Sequence, residues 1–160
     1  MNRLAAAPLT TLVLALGLVA CGGGGGGGGD APSKAEFGAD ADKVCADAEK
    51  HLGEIGQNAT SRAEIAKAVD KVIAETQKSL DDLKALDRPD GAAGEAADKF
   101  VNSLQTDIED KGIPALEKLR DALKSGDQQA AQKAAQELQS IDSSDTNKLA
   151  TAAGAKGCAN

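Results

Sequence analysis

From residue 34 onward apolar side chains recur every three or four positions, the repeat that gathers them on one face of an α-helix. Phe37, Ala41, Val44, Cys45, Ala48, Leu52 and Ile55 mark a first amphipathic helix over about 34–55. Ser33 and Glu36 open it in capping-box spacing, each side chain able to satisfy a backbone donor at the helix start. Gly56-Gln57-Asn58 breaks the pattern, and Ser61 with Glu64 offers a second box. Ile65, Val69, Val72, Ile73, Thr76, Leu80 and Leu83 then predict a helix over about 62–86. It ends at Asp87-Arg88-Pro89-Asp90-Gly91, because proline disfavours helical geometry in the residue before it.

A third stripe, Ala97, Phe100, Val101, Leu104, Ile108, Leu116, Leu119 and Leu123, covers about 93–124 in nearly one phase. Gly112-Ile113-Pro114 interrupts it. An internal proline removes a hydrogen bond and costs about 3 kcal/mol, so a kink or short break is expected there, with halves near 93–111 and 113–124. Ser125-Gly126-Asp127 caps a weak helix over about 128–142, and a last one over about 144–153 stops at Gly154. Ala155 to Cys158 reads as a flexible tail. No strand-like alternation occurs, so the chain from 34 to 160 is expected to be all-α, an antiparallel bundle of four to five helices with short connections.

Composition thins this picture. Leu, Ile, Val and Phe make up under a fifth of the helical part, near the level at which composition alone suggests disorder, and only Phe37 and Phe100 are aromatic. The many alanines favour helix and close packing but bury little area each. Such a core gains from a covalent staple.

The amino end is of another kind. Met1-Asn2-Arg3 precedes a mostly apolar run, Leu4 to Val19, of about 16 residues; a membrane-spanning helix needs roughly 20. It reads as a signal peptide over residues 1–20. Leu18-Val19-Ala20-Cys21 resembles the lipobox of bacterial lipoproteins, and the resemblance implies a diacylglyceryl group on the Cys21 thiol, cleavage before Cys21 and frequent acylation of the new amino terminus. Two or three acyl chains at about 0.8 kcal/mol per buried methylene exceed the marginal hold of one. The mature chain is therefore expected to be exported and lipid-anchored to the cell membrane, or to the outer membrane in an organism that has one.

Gly22 to Gly29 cannot bury surface to offset their ordering entropy, so residues 21–33 read as a tether, its glycine run spanning roughly 15 Å root-mean-square with a ceiling near 28 Å. A phosphate-cradling loop would need a preceding strand and a Lys-Ser/Thr ending, and Asp30-Ala31-Pro32 offers neither.

With Cys21 lipidated, Cys45 and Cys158 remain, and an exported protein with two cysteines most simply pairs them. Closing a loop of about 113 residues stabilises by roughly 4–5 kcal/mol in the chain-entropy model. The alternative is a buried inert thiol at Cys45 with a free one at Cys158. A redox-active pair has no Cys-x-x-Cys to rest on.

Charge and side-chain chemistry exclude more than they assign. Removing residues 1–20 takes away Arg3 and no acid, so the net charge of −7 becomes −8. An acidic chain with two aromatics lacks the basic face and stacking platforms of nucleic-acid binders, and lacks the cationic face of helices that lie on anionic lipid. His51 is the sole histidine and belongs to no nucleophile motif. Asp40-Asp42-Asp47-Glu49, Asp81-Asp82-Asp87 and Asp107-Glu109-Asp110 lie on helices without the ordered ligands and Gly turn of a calcium loop, and read as solvated faces. Asn58-Ala59-Thr60 spells a glycosylation sequon, taken as chance behind a bacterial signal. No catalytic residue, cofactor or metal is expected.

Lys34-Ala35-Glu36-Phe37, Ala41-Asp42-Lys43-Val44-Cys45, Leu83-x-x-Leu86-x-x-Pro89 and Gly154-Ala155-Lys156-Gly157-Cys158 together resemble small Cys-containing helical lipoproteins and secreted proteins of actinobacteria, the last segment with one extra residue. The resemblance implies the helical fold and the cysteine pairing, and no biochemical activity. The expected function is a membrane-anchored, non-enzymatic helical module that binds another envelope component, a protein first. The alternative is a carrier of a small ligand or metal ion.

Overall fold

A computed structural model of the chain describes residues 31–159, and these are all-helical. The expected signal segment 1–20, Cys21 and the glycine run lie outside the described residues. The elements are α1 (Lys34–Glu54), α2 (Arg62–Ala85), α3 (Gly91–Gln105), a π-helical segment (Thr106–Gly112), α4 (Ile113–Ser125), α5 (Gln128–Gln139), α6 (Ser144–Ala153) and a closing 3-10 turn (Lys156–Cys158). Counting α3, the π segment and α4 as one rod, five helices pack together, joined by short connections.

Local chemistry sets most boundaries. Both capping boxes are closed: the Ser33 hydroxyl accepts from Glu36 N–H while Glu36 accepts from Ser33 N–H at 2.7 Å, and Ser61 and Glu64 repeat the arrangement at α2. Gly126 and Gly154 end α4 and α6 in the left-handed region, at φ 77° and 95°, a conformation that glycine enters without a Cβ penalty. Asp127 caps α5 by accepting from Ala130 N–H.

Three expectations change. The interruption before Pro114 is not a break. The Ile113 N–H bonds five residues back to Ile108 O, so the chain passes through a widened π turn, and Pro114, which has no N–H to donate, falls where that turn passes into α4. A π turn holds an extra residue and re-aims the side chains that follow. That fits the packing, since α3 lies on α6 whereas α4 lies on α2 and α5. Helix α5 ends at Gln139, three residues before its expected end. The tail 155–158 is ordered: Ala155 is fully buried and Asp42 of α1 accepts from Gly157 N–H at 2.6 Å. Tertiary contact supplies the partners that the tail's own sequence lacks.

The core is densest around α1, α3, α6 and the end of α2, where Phe37, Phe100, Val101 and Leu83 pack with Ala41, Ala97, Ala150, Ala153 and Ala155. Gly38 permits the closest approach, because a Cβ there would lie 2.5 Å from the Gly154 carbonyl oxygen. Arg88 closes the α2 end: its guanidinium donates to the carbonyls of Leu83, Lys84 and Leu86, pairs with Asp98 at 3.1 Å and sits 5.3 Å above the Phe37 ring. Toward the opposite end α2, α4 and α5 meet through Ala66, Val69, Ala115, Ala122 and Ala134, all buried and all but one alanine.

Candidate functional site

Cys45 and Cys158 are bonded, with an S–S distance of 2.00 Å and Cα atoms 5.4 Å apart. The bond joins the middle of α1 to the closing 3-10 turn. Beyond it α1 changes character: its buried residues, Phe37, Gly38 and Ala41, all precede the disulfide, and its second half rests on α2 with no fully buried side chain. This half-packed arrangement leaves an apolar groove of about 360 Å³. Val44, Cys45, Ala48 and Leu52 form the α1 wall. Thr76, Ser79, Leu80 and Leu83 of α2 form the floor, and Leu104 of α3 with Ile108 of the π segment closes the far side. Gly157 and Cys158 stop one end, so the disulfide is both staple and part of the wall.

One charged side chain lines the groove, Glu49. It has no hydrogen-bond or ion-pair partner among the described residues. Beside the floor, Lys84 of α2 pairs with Glu109 of the π segment at 3.0 Å, and hydrogen bonds from Gln105 and Lys84 hold the Glu109 carboxyl below its ordinary pKa. That carboxylate is already occupied; Glu49 is open.

Of the other residues singled out from the sequence, Asp47, His51 and Asp82 line one depression beside the α1–α2 contact. His51 Nδ1 lies 2.8 Å from Glu75 Oε1 and links α1 to α2 at an exposed site. Lys78 and Asp82 form an ordinary helix-surface pair at 3.0 Å. Among the described residues no three His, Cys, Asp or Glu side chains gather as metal ligands.

Asp107 departs from the solvated-face reading. Thr146 of α6, the one buried polar residue among those described, donates to Asp107, accepts from Ser103 at 2.7 Å, and so ties α6 to the rod formed by α3 and the π segment. Burial pushes the Asp107 carboxyl up, but hydrogen bonds from Lys111 and Thr146 outweigh it and leave the pKa below the ordinary value. Among the described residues no buried side-chain polar atom lacks a hydrogen-bond partner, and the helix-to-helix bonding of this knot reads as structural.

Sequence reasoning missed the groove and the knot. A weak signal for the first lay in Leu52 and Ile55, apolar positions that continue the α1 stripe past the point where the chain returns to cover it. No protein-family model matches the chain, and comparison with curated proteins and with solved structures returned no match.

Proposed function

We propose that this chain is an envelope lipoprotein, anchored through acyl groups on Cys21, whose helical domain is a non-enzymatic binding module and whose binding face is the groove beside the disulfide. The observation that carries the reading is the groove itself, apolar on three walls and about 360 Å³ in volume, inside the range of small-ligand sites. Size favours a small apolar ligand over a protein partner. A stable protein interface covers about 800 Å² on each side, and the one large hydrophobic residue counted as exposed among those described is Ile65, at 39%. The lipobox-like segment and the glycine run support the anchor, and the resemblance to actinobacterial helical lipoproteins supports the same compartment.

Melting of the mature chain, screened against apolar small molecules, tests the binding reading. A ligand that binds only the native state raises the melting temperature with its concentration. A screen in which no compound does so overturns it. The anchor is tested separately by the intact mass of protein taken from its native membrane: a lipid increment on Cys21 is expected, and an unlipidated mass removes the anchor from the reading.

A further inference from the structure

We infer that the groove selects a cationic amphiphile, one whose hydrocarbon part lies along the Leu80–Leu83 floor while a protonated or quaternary amine meets Glu49. The inference rests on the binding reading above and adds the chemical class of the ligand. Three observations converge. The walls contributed by Val44, Leu52, Leu104 and Ile108 offer an apolar trough and little hydrogen-bonding capacity, which suits a hydrocarbon chain and not a sugar, a nucleotide or a polar amino acid. Glu49 is the one charged group in that lining, and its carboxylate is unpaired, so a cation placed there completes an ion pair without first breaking one.

The third observation is the surrounding field. The depression on the other flank of the α1–α2 contact carries Asp47, Glu75 and Asp82 against Lys78 and His51, and the whole chain is at −7. An anionic head group such as a carboxylate or sulfate would meet repulsion at Glu49 and across this flank, whereas a cation is drawn toward it. The neighbouring Lys84 does not reverse the sign, because its ammonium is taken by Glu109.

The test uses residues 21–160 with Cys21→Ser, which keeps the processed chain in solution without detergent. Titration calorimetry compares alkyltrimethylammonium ions of eight to twelve carbons with an alkyl sulfate and an alkyl maltoside of matched length, all below their micellar concentrations and with helicity monitored. One site per chain is expected, filled most tightly by the ammonium series and least by the sulfate. Affinity should rise up to about fourfold per added methylene until the trough is full.

Glu49→Gln is expected to weaken the ammonium ligands about threefold, on the scale of an exposed ion pair, and to leave the maltoside unchanged. Glu95→Gln, which removes an exposed acid of α3 from outside the groove, should change neither. Filling the trough with Ala48→Phe should abolish binding of every ligand, and Leu52→Gln serves the same end if that variant fails to fold. Equal binding of cation and anion, or equal losses from Glu49→Gln and Glu95→Gln, overturns the cationic preference while the groove remains a binding site. If no amphiphile of any charge binds, both readings fall.

Discussion

The two ends of this bundle use the same alanine-rich helical chain in different ways. At the disulfide end α1, α3 and α6 close around Phe37 and Phe100, Gly38 lets backbone approach backbone, and Arg88 and the Cys45–Cys158 bond clamp the periphery. At the other end the fully buried residues of α2, α4 and α5 are alanines and Val69, with Val72, Leu116, Leu123 and Leu138 half-buried on the same helices, and among the described residues this end has no aromatic side chain and no cross-link. An alanine side chain removes little apolar surface from water, so helix propensity and capping carry a larger share of the order at the second end than at the first. The groove lies where the first kind of packing gives way to the second. Past the disulfide, α1 still presents apolar positions, and among the described residues its contact with α2 leaves them half-covered.

The largest effect expected from breaking this contrast is loss of the cross-link. Reduction, or replacement of Cys45 and Cys158 by serine, is expected to lower stability by about 4–5 kcal/mol, read from urea denaturation. An unchanged midpoint would mean that the staple does not constrain the unfolded chain. Next, Phe100→Ala should cost about 3–5 kcal/mol, because the ring is fully buried and its neighbours are helices that cannot collapse freely onto the space.

Gly38→Ala is a small change in volume, yet its Cβ would lie 2.5 Å from a backbone oxygen, so a loss of about 1–3 kcal/mol is expected. At the opposite end Ala134→Gly should cost about 1 kcal/mol, chiefly through helix propensity. A loss there as large as that for Phe100→Ala would erase the distinction between the two ends. Native-state hydrogen exchange sharpens the comparison: amides of α5 are expected to exchange through smaller openings than those of α3, and equal protection would mean one uniform cooperative unit.

The smallest effect is electrostatic. Hydrogen bonds from the Ser61 and Thr60 backbone and hydroxyl groups lower the Glu64 pKa from 4.5 to about 2. A depressed folded pKa contributes stability that is fully present above pH 4.5 and is lost as pH falls through about 2. An NMR titration of the Glu64 carboxyl group should give a midpoint near 2, and a midpoint near 4.5 would mean that the capping box is open in solution. Glu64→Gln should remove that part of the acid sensitivity and leave the rest.

Much of this architecture was visible in local sequence. Ser33 with Glu36, Ser61 with Glu64, Asp127, Gly126 and Gly154 act within a few residues of themselves, so spacing alone carries their meaning. The pairing of Cys45 with Cys158 was legible because the expected lipidation of Cys21 left two thiols and the stripe of α1 turned one of them inward. Pro114 announced a disturbance but not its form: whether a chain kinks, breaks or widens depends on what the following turn must face, and here α4 must meet α2 and α5. The closing tail was misread for a related reason. Ala155 and Gly157 carry no ordering signal, and Asp42, about 115 residues away, supplies the acceptor.

The candidate site divides the same way. Sequence by itself determined the all-helical fold, the starts of its helices, the two phenylalanines of the core and the acidity of the surface, since each follows from propensity, periodicity or charge along a short stretch. Tertiary structure alone decided that the second half of α1 would stay half-covered, that Leu80 and Leu83 would become the floor of a trough, and that Glu49, among many acids, would stand in its wall without a partner. Those outcomes depend on the relative placement of helices far apart in the chain, and a pattern that repeats every three or four residues carries no information about which stripe will find another stripe to cover it.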